Sequence, residues 1–103
     1  MMGEHQGSAP HIMFYTKADC ELCHTAKATL LALQGELGFT LDEVDITTSP
    51  ALYDAFREEI PVGFLDGRKL FKYQVDATLL RRQLQHRRRW LSSGWFSSRR
   101  GNP

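Results

Sequence analysis

Two cysteines, Cys20 and Cys23, are the residues of this 103-residue chain best placed to do chemistry. They are its only cysteines, and a gap of two residues puts the second sulfur about one helical turn from the first. At that spacing the second thiol can resolve a mixed disulfide formed on the first. As a structural crosslink, so short a loop would contribute only about 2 kcal/mol on loop-entropy grounds. The spacing therefore indicates redox chemistry of thiols.

The predicted local structure favours Cys20 as the attacking member of the pair. Residues 11–16 are mostly apolar and β-favouring, which predicts a largely buried strand. A short turn follows, and Asp19 is the predicted N-cap of a helix that begins at Cys20. The first turn of a helix carries unpaired N–H groups and partial positive charge, and both stabilise a thiolate. Because the thiolate is the nucleophilic form of cysteine, Cys20 is predicted to attack and Cys23 to resolve.

The remaining elements follow the order strand, helix, strand, helix, strand, strand, helix. The first helix is predicted to end near Gly38, and its apolar residues recur at spacings of 4, 4, 3 and 4 on one buried face: Leu22, Ala26, Leu30, Leu33 and Leu37. A second strand is predicted over 39–46, followed by a helix with Ser49 as N-cap. Two further strands, over 62–65 and 69–73, are predicted to form a hairpin around an Asp66-Gly67 turn. The last predicted helix covers 77–86, with Asp76 as its cap and Leu79, Leu80 and Leu84 facing inward.

This order predicts one α/β domain. An α/β unit followed by a hairpin and a closing helix gives a central four-stranded mixed sheet flanked by helices. A chain of 103 residues, of which 42% are hydrophobic and 24% charged, is typical of a single globular domain. No apolar stretch approaches the length of about 18 residues that a membrane span requires, so no membrane span is expected.

Three stretches of the sequence resemble a known family. They are His11-Ile12-Met13-Phe14-Tyr15-Thr16 running directly into Lys17-Ala18-Asp19-Cys20-Glu21-Leu22-Cys23, then Val44-Asp45-Ile46, and then Ile60-Pro61-Val62. With the order of elements, they make residues 11 to about 86 resemble the glutaredoxin-like proteins of the thioredoxin-fold superfamily, in particular a small glutaredoxin-like family of poorly defined biochemistry. The resemblance implies a thioredoxin-like β-α-β-α-β-β-α fold.

The resemblance also implies roles for individual residues. Cys20 would be the catalytic nucleophile and Cys23 the resolving, more buried thiol. Pro61 would follow a cis peptide bond and lie beside the cysteines, where the N–H and carbonyl of Ile60 could hold a substrate in an extended pose. Lys17 matches a position that contacts the glutathione carboxylate in many glutaredoxins. The implied function is a thiol–disulfide oxidoreductase with no bound cofactor, re-reduced by glutathione or another thiol.

Two departures bear on glutathione use. Glu21 and Leu22 replace the Pro-Tyr pair usual between the thiols of glutaredoxins, and a carboxylate beside Cys20 disfavours its thiolate. Phe71, Lys72 and Tyr73 stand where glutaredoxins commonly carry a Gly-Gly pair, which disfavours close backbone approach by glutathione.

Other interpretations of the cysteine motif stay open at the level of sequence. The pair could be two inert thiols on a helix that keeps the fold without the activity. Cys20 to His24 also matches the Cys-x-x-Cys-His pattern of haem attachment, although His24 is predicted to lie on the exposed side of the helix. A zinc site built from both cysteines, His24 and a further ligand such as His11 is a third reading, although structural zinc sites usually show two ligand clusters. We therefore predict no metal site.

The net charge of +1 conceals an uneven distribution. Residues 81–103 hold seven arginines and no acid, whereas all 12 acids lie within residues 1–80. In the basic stretch arginines alternate with Trp90, Leu91, Trp95 and Phe96. Such a stretch can bind phosphate or a membrane surface, pack on the domain, or fold back on the acidic body through salt-sensitive contacts. It motivates the alternative function, a non-catalytic thioredoxin-fold binding module whose basic tail docks a protein or nucleic acid.

The expected organisation is a flexible leader over residues 1–10, the glutaredoxin-like domain over 11–86, and a partly disordered basic aromatic tail over 87–103. The polar leader resembles neither a signal nor a transit peptide, which predicts a cytoplasmic location. We expect a monomer whose partners are a disulfide-containing protein or small molecule and a thiol reductant system. A nucleic-acid partner is not expected, because the folded body is acidic.

Overall fold

The computed structural model describes residues 9–92 of the chain. Their elements, in chain order, are β1 (His11–Thr16), α1 (Glu21–Leu37), β2 (Thr40–Asp45), a 3₁₀ turn (Ile46–Thr48), α2 (Pro50–Phe56), β3 (Val62–Leu65), β4 (Arg68–Lys72) and α3 (Ala77–Ser92). The predicted order of elements is confirmed. None of the helices within the described residues is long and apolar enough to cross a membrane.

The four strands form one mixed sheet in the order β2-β1-β3-β4. β1 is parallel to β2, whereas β3 is antiparallel to both of its neighbours. Tyr15 near the end of β1 faces Val62 at the start of β3, and Val62 faces Lys72 at the end of β4. The segments that follow β1, precede β3 and follow β4 therefore meet at one end of the sheet.

The main core lies between the sheet and the two longer helices. Because side chains alternate along a strand, Ile12 and Phe14 of β1 face the same side and are fully buried. α1 contributes Ala26, Leu30, Leu33 and Leu37 to this core, and α3 contributes Leu80 and Leu84. The apolar spacing of each helix thus places one face on the sheet, and this packing fixes the direction in which α1 presents its first turn.

The opposite side of the sheet is covered by α2. The rings of Tyr15 and Phe56 stack with centroids 4.4 Å apart, and Phe64 meets both edge-on at 6.0 and 5.9 Å. Ser49 is the N-cap of α2, as predicted, and Pro50 is its first residue. The sheet thus has helices on both sides, which confirms the α/β thioredoxin-like fold.

The hairpin of β3 and β4 combines a tight turn with a close side-chain approach. Asp66 and Gly67 both have positive φ, at 49° and 88°, as a two-residue turn of this type requires. In the middle of the hairpin, the ring of Phe71 lies directly over Gly63, where a Cβ atom would come within 2.6 Å of the ring carbon Cζ. Gly63 is therefore required by packing, and the contact fixes the two strands against each other.

Three predicted elements had boundaries that were wrong by one or more residues. The second strand ends at Asp45, because the Asp45 carboxylate accepts a hydrogen bond from the Thr47 N–H at 2.9 Å and turns the chain before Ile46 can pair. The fourth strand runs one residue earlier than predicted, since Tyr73 has a φ of 76° that no strand adopts. The last helix starts at Ala77 under the predicted Asp76 cap but extends to Ser92, beyond the predicted end at His86.

The basic residues of α3 explain part of this extension. Arg81 makes a two-point contact with Glu36 of α1, at 2.7 and 3.0 Å. Arg87 contacts the Asp66 carboxylate, and Arg88 donates to the Leu37 carbonyl at 3.3 Å. These arginines therefore hold α3 on the acidic body, one of the arrangements considered from the charge distribution. The leader over residues 1–8 and the tail beyond Ser92 lie outside the described residues, so the predictions made for them stay predictions.

Candidate functional site

Cys20 and Cys23 lie at the start of α1, directly after β1. Their sulfurs are joined in a disulfide, and their Cα atoms are 5.2 Å apart. The Cys23 N–H donates to the Cys20 sulfur at 3.1 Å, so Cys20 itself is the N-cap of the helix. The prediction that Asp19 caps this helix was wrong, because the sulfur one residue later takes the acceptor position. The Cys20 sulfur is thus the acceptor that α1 requires at its N-terminus.

The two cysteines differ in burial. Cys23 has no exposed surface and sits on the core face of α1, whereas Cys20 is half-buried. This matches the expectation that Cys23 is the more buried thiol.

Leu22 lies on the surface beside this pair. It was predicted to be a core residue, and that prediction was wrong, because 56% of its surface is exposed. The core face of α1 begins with Cys23 instead, one position further along, and then continues through Ala26 and Leu30. As a result, the apolar side chain of Leu22 lies on the surface next to the two cysteines, and the sulfur of Cys23 lies in the core.

His24 and Lys17 are each held by the turn that leads into α1. The His24 ring nitrogen Nε2 lies 2.7 Å from the Ala18 carbonyl, which can only accept, so this nitrogen carries the proton. His24 is exposed, as predicted. The Lys17 ammonium lies 3.5 Å from the Asp19 carboxylate and also faces Asp45. The pKa of Asp45 is lowered, chiefly by hydrogen bonds from the hydroxyl and N–H of Thr47 and in smaller part by the charge of Lys17.

Pro61 precedes β3 at the same end of the sheet as the cysteines. Its peptide bond with Ile60 is cis, as the resemblance implied. The N–H of Ile60, expected to be available to a substrate, instead donates to the Phe56 carbonyl at the end of α2, at 3.2 Å. The Ile60 carbonyl accepts no hydrogen bond from the described residues, so it is the backbone group of Ile60 that these residues leave unpaired.

Tyr73 is the residue of this end of the sheet that sequence reasoning did not single out for a role. Its N–H donates to the Pro61 carbonyl at 2.7 Å, and its hydroxyl donates to the Glu58 carbonyl at 3.1 Å. The ring is 48% exposed, and the Lys72 ammonium lies 5.2 Å from its centroid. The sequence offered no signal for this role, because a tyrosine at the end of the strand predicted over 69–73 favours extended rather than left-handed backbone.

The possible metal ligands named from the sequence do not converge. His11 lies at the other end of β1 from the cysteines, where its ring nitrogen is 2.9 Å from the Asp42 carboxylate. Within residues 9–92 no group of three His, Cys, Asp or Glu side chains is placed to hold a metal ion.

Comparison with known proteins identifies relatives over most of the domain. The profile of the glutaredoxin-like domain (DUF836) matches residues 11–85. A glutaredoxin-like protein of Dictyostelium discoideum is 30% identical, with 73% of this chain and 82% of the relative covered. An uncharacterized protein of Mycobacterium tuberculosis is 34% identical, with 72% and 81% covered.

Solved structures agree on the fold. A protein of Nitrosomonas europaea, determined in solution by NMR, superposes with a TM-score of 0.61 at 24% identity, covering 70% of this chain and 87% of that one. Thioredoxin O1 of Arabidopsis thaliana in its oxidized state gives a TM-score of 0.57 at 22% identity, covering 79% of each chain. These neighbours support the thioredoxin-like fold, and the Cys20–Cys23 pair supports a redox-type function in general terms. From the match over residues 11–85, the chain belongs to the glutaredoxin-like domain (DUF836) family.

Proposed function

We propose that this protein is a thiol–disulfide oxidoreductase in which Cys20 attacks and Cys23 resolves. The observation that carries the proposal is the hydrogen bond from the Cys23 N–H to the Cys20 sulfur at the N-terminus of α1. The same N–H, with the partial positive charge of the helix start, stabilises negative charge on Cys20 once the disulfide is reduced. The attacking sulfur is therefore stabilised by the backbone of the residue that later resolves it.

The proposed cycle transfers two electrons from the Cys20/Cys23 dithiol to a substrate disulfide. The Cys20 thiolate attacks one sulfur of a substrate disulfide, the substrate S–S bond breaks, and the other substrate sulfur leaves as a thiolate. Cys23 then loses its proton and attacks the Cys20 sulfur, which restores the Cys20–Cys23 disulfide and releases the second substrate thiolate. Both product thiolates take up protons. The substrate is reduced to two thiols, and the protein dithiol is oxidised.

An external thiol couple completes the cycle without a bound cofactor. Two thiols of the donor reduce the Cys20–Cys23 disulfide and leave as their own disulfide, and glutathione is one candidate donor. Substrate binding is assigned to Lys17, Ile60 and Pro61, with the Ile60 carbonyl as the acceptor for an extended chain. The substrate is a disulfide-bearing protein or small molecule, the location cytoplasmic, and the protein a monomer that acts without nucleic acid.

The proposal is tested by equilibrating the protein with mixtures of reduced and oxidised glutathione and counting alkylatable thiols. We expect Cys20 and Cys23 to change together, as a two-electron couple, at an intermediate ratio. Failure to form the bridge at any ratio would refute the proposal.

Two variants of Cys20 separate its chemical role from its role as a helix cap. Cys20→Ser and Cys20→Ala should both abolish disulfide reduction. Both variants also lose the disulfide, so the reduced wild type is the reference for stability. Serine retains an N-cap oxygen, so against that reference only the alanine variant should lose about 1 kcal/mol of unfolding free energy. Disulfide reduction that persists in either variant would contradict the assignment of Cys20 as the nucleophile.

A further inference from the structure

The segment before β3, here called the 58–61 loop, is held by hydrogen bonds from both of its sides. On one side, the Phe56 carbonyl at the end of α2 accepts from the N–H groups of Glu59 and Ile60, at 2.8 and 3.2 Å. On the other side, Tyr73 donates to the carbonyls of Glu58 and Pro61. A single residue beyond β4 therefore fixes both ends of the loop.

The backbone of Tyr73 adopts an unfavourable conformation to make these contacts. Its φ of 76° lies in the left-handed region, where a bulky side chain is rare, and the other described non-glycine residue there is Asp66 of the hairpin turn. Such conformations persist only where the surroundings require them, and they concentrate at functional sites. The two hydrogen bonds at 2.7 and 3.1 Å supply that requirement.

We propose that Tyr73 is the positioning residue of the site: its two hydrogen bonds hold the 58–61 loop so that the Ile60 carbonyl can accept a backbone N–H of an extended polypeptide disulfide. The inference rests on the proposed function and names polypeptide disulfides as its substrate class. The role of Tyr73 is to hold the loop rather than to act on the sulfurs, since both of its hydrogen bonds are made to loop carbonyls. Its loss should therefore weaken peptide docking without changing the attack of Cys20 on a disulfide that has no backbone.

Two matched probes separate these effects. One is a short peptide whose single cysteine is in mixed disulfide with a chromophoric thiol, and the other is mercaptoethanol in mixed disulfide with the same thiol. The reduced protein attacks the peptide or mercaptoethanol sulfur, the S–S bond breaks, and the chromophoric thiol leaves as its thiolate, whose absorbance gives the rate. Only the peptide probe offers a backbone N–H to the 58–61 loop.

We expect Tyr73→Phe to lower the rate with the peptide by up to about fivefold, the effect of losing one hydrogen bond, through a higher half-saturating peptide concentration. Its rate with the mercaptoethanol probe should be unchanged. Tyr73→Gly, which tolerates positive φ but removes ring and hydroxyl, should show a larger loss of the same kind. Tyr53→Phe is the matched control, because Tyr53 is 38% exposed on α2 and its hydroxyl makes no hydrogen bond to the described residues.

The outcomes distinguish the two proposals. If the wild type attacks both probes and Tyr73→Phe matches it on both, or slows both equally, the positioning role is overturned and the oxidoreductase proposal stands. If the wild type attacks neither probe, the oxidoreductase proposal fails and this inference falls with it. Circular dichroism confirms that each variant is folded, and the isosteric Tyr73→Phe decides the question if Tyr73→Gly does not fold.

Discussion

Gly63→Ala tests whether the contact with Phe71 holds the hairpin that carries the 58–61 loop and Tyr73. The added methyl group would come within 2.6 Å of Cζ of Phe71 and closer still to the neighbouring ring carbon, far inside van der Waals contact. The ring has little room to move, since Phe71 is buried and packs against Phe14 with centroids 6.2 Å apart. Overpacking of this kind costs about 1–3 kcal/mol of unfolding free energy. For a domain of this size, each kcal/mol lowers the melting temperature by roughly 4–8 °C.

The assay is denaturant-induced unfolding of the oxidised protein, with Gly35→Ala as the matched control. Gly35 lies on the exposed side of α1, and a Cβ atom there would meet nothing within 4 Å. At position 35 the same substitution should therefore raise the free energy of unfolding, by about 0.5–1 kcal/mol, because alanine has a higher helix propensity than glycine.

A second background isolates the clash itself. Phe71→Leu removes the ring atoms that the new methyl would meet, so Gly63→Ala should cost less in that background, with a coupling energy of about 0.5–3 kcal/mol. An unfolding midpoint for Gly63→Ala equal to that of the wild type, or an equal cost in both backgrounds, would refute the packing argument.

Two further predictions concern charges. In the reduced protein, Glu21→Gln should increase the rate at which iodoacetamide alkylates Cys20 at neutral pH. The increase should be no more than about fivefold, because an exposed carboxylate disfavours the neighbouring thiolate only weakly. A slower reaction would contradict this electrostatic argument. The hydrogen bonds from Arg81 lower the pKa of Glu36, so this pair stabilises the fold above the ordinary pKa of glutamate and the contribution is lost as the pH falls through the lowered value. Arg81→Gln should return the Glu36 pKa towards its usual range and reduce the loss of stability on acidification. NMR titration of the Glu36 carboxyl measures the first effect, and unfolding at neutral and acidic pH measures the second. An unchanged Glu36 titration would show that the contact is absent in solution.

The order of elements could be predicted from the sequence because each element is indicated by a short stretch of neighbouring residues. The alternation in β1, the Ser49-Pro50 helix start and the Asp66-Gly67 turn each involve residues within a few positions of one another. Such signals place an element but define its buried face less sharply. On α1, Leu22 and Cys23 are neighbours that both fit a helical period with Ala26, and only packing against the sheet decides that the sulfur is buried and the leucine exposed.

Long-range contacts account for what the sequence did not predict. α3 extends beyond His86 while Arg87 and Arg88 reach Asp66 and the Leu37 carbonyl, and neither partner is adjacent in sequence. In the same way, Tyr73 leaves the strand conformation because its N–H and hydroxyl meet carbonyls of the 58–61 loop. Pairings across such separations leave no periodic trace in the chain, so they appear only once the sheet is assembled.

The site therefore has two separate supports, and they should fail in different ways. α1 presents the dithiol and is held on the sheet by its own core face, whereas the β3–β4 hairpin presents Pro61 and Tyr73 and is held by the Gly63–Phe71 contact. A folded variant weakened in the hairpin should lose rate with a peptide disulfide and keep its rate with a small one. A variant altered at the start of α1 should change both rates together, because it acts on Cys20, which attacks both kinds of disulfide. The ratio of the two rates thus assigns any variant of this end of the sheet to one support or the other, independently of its overall stability.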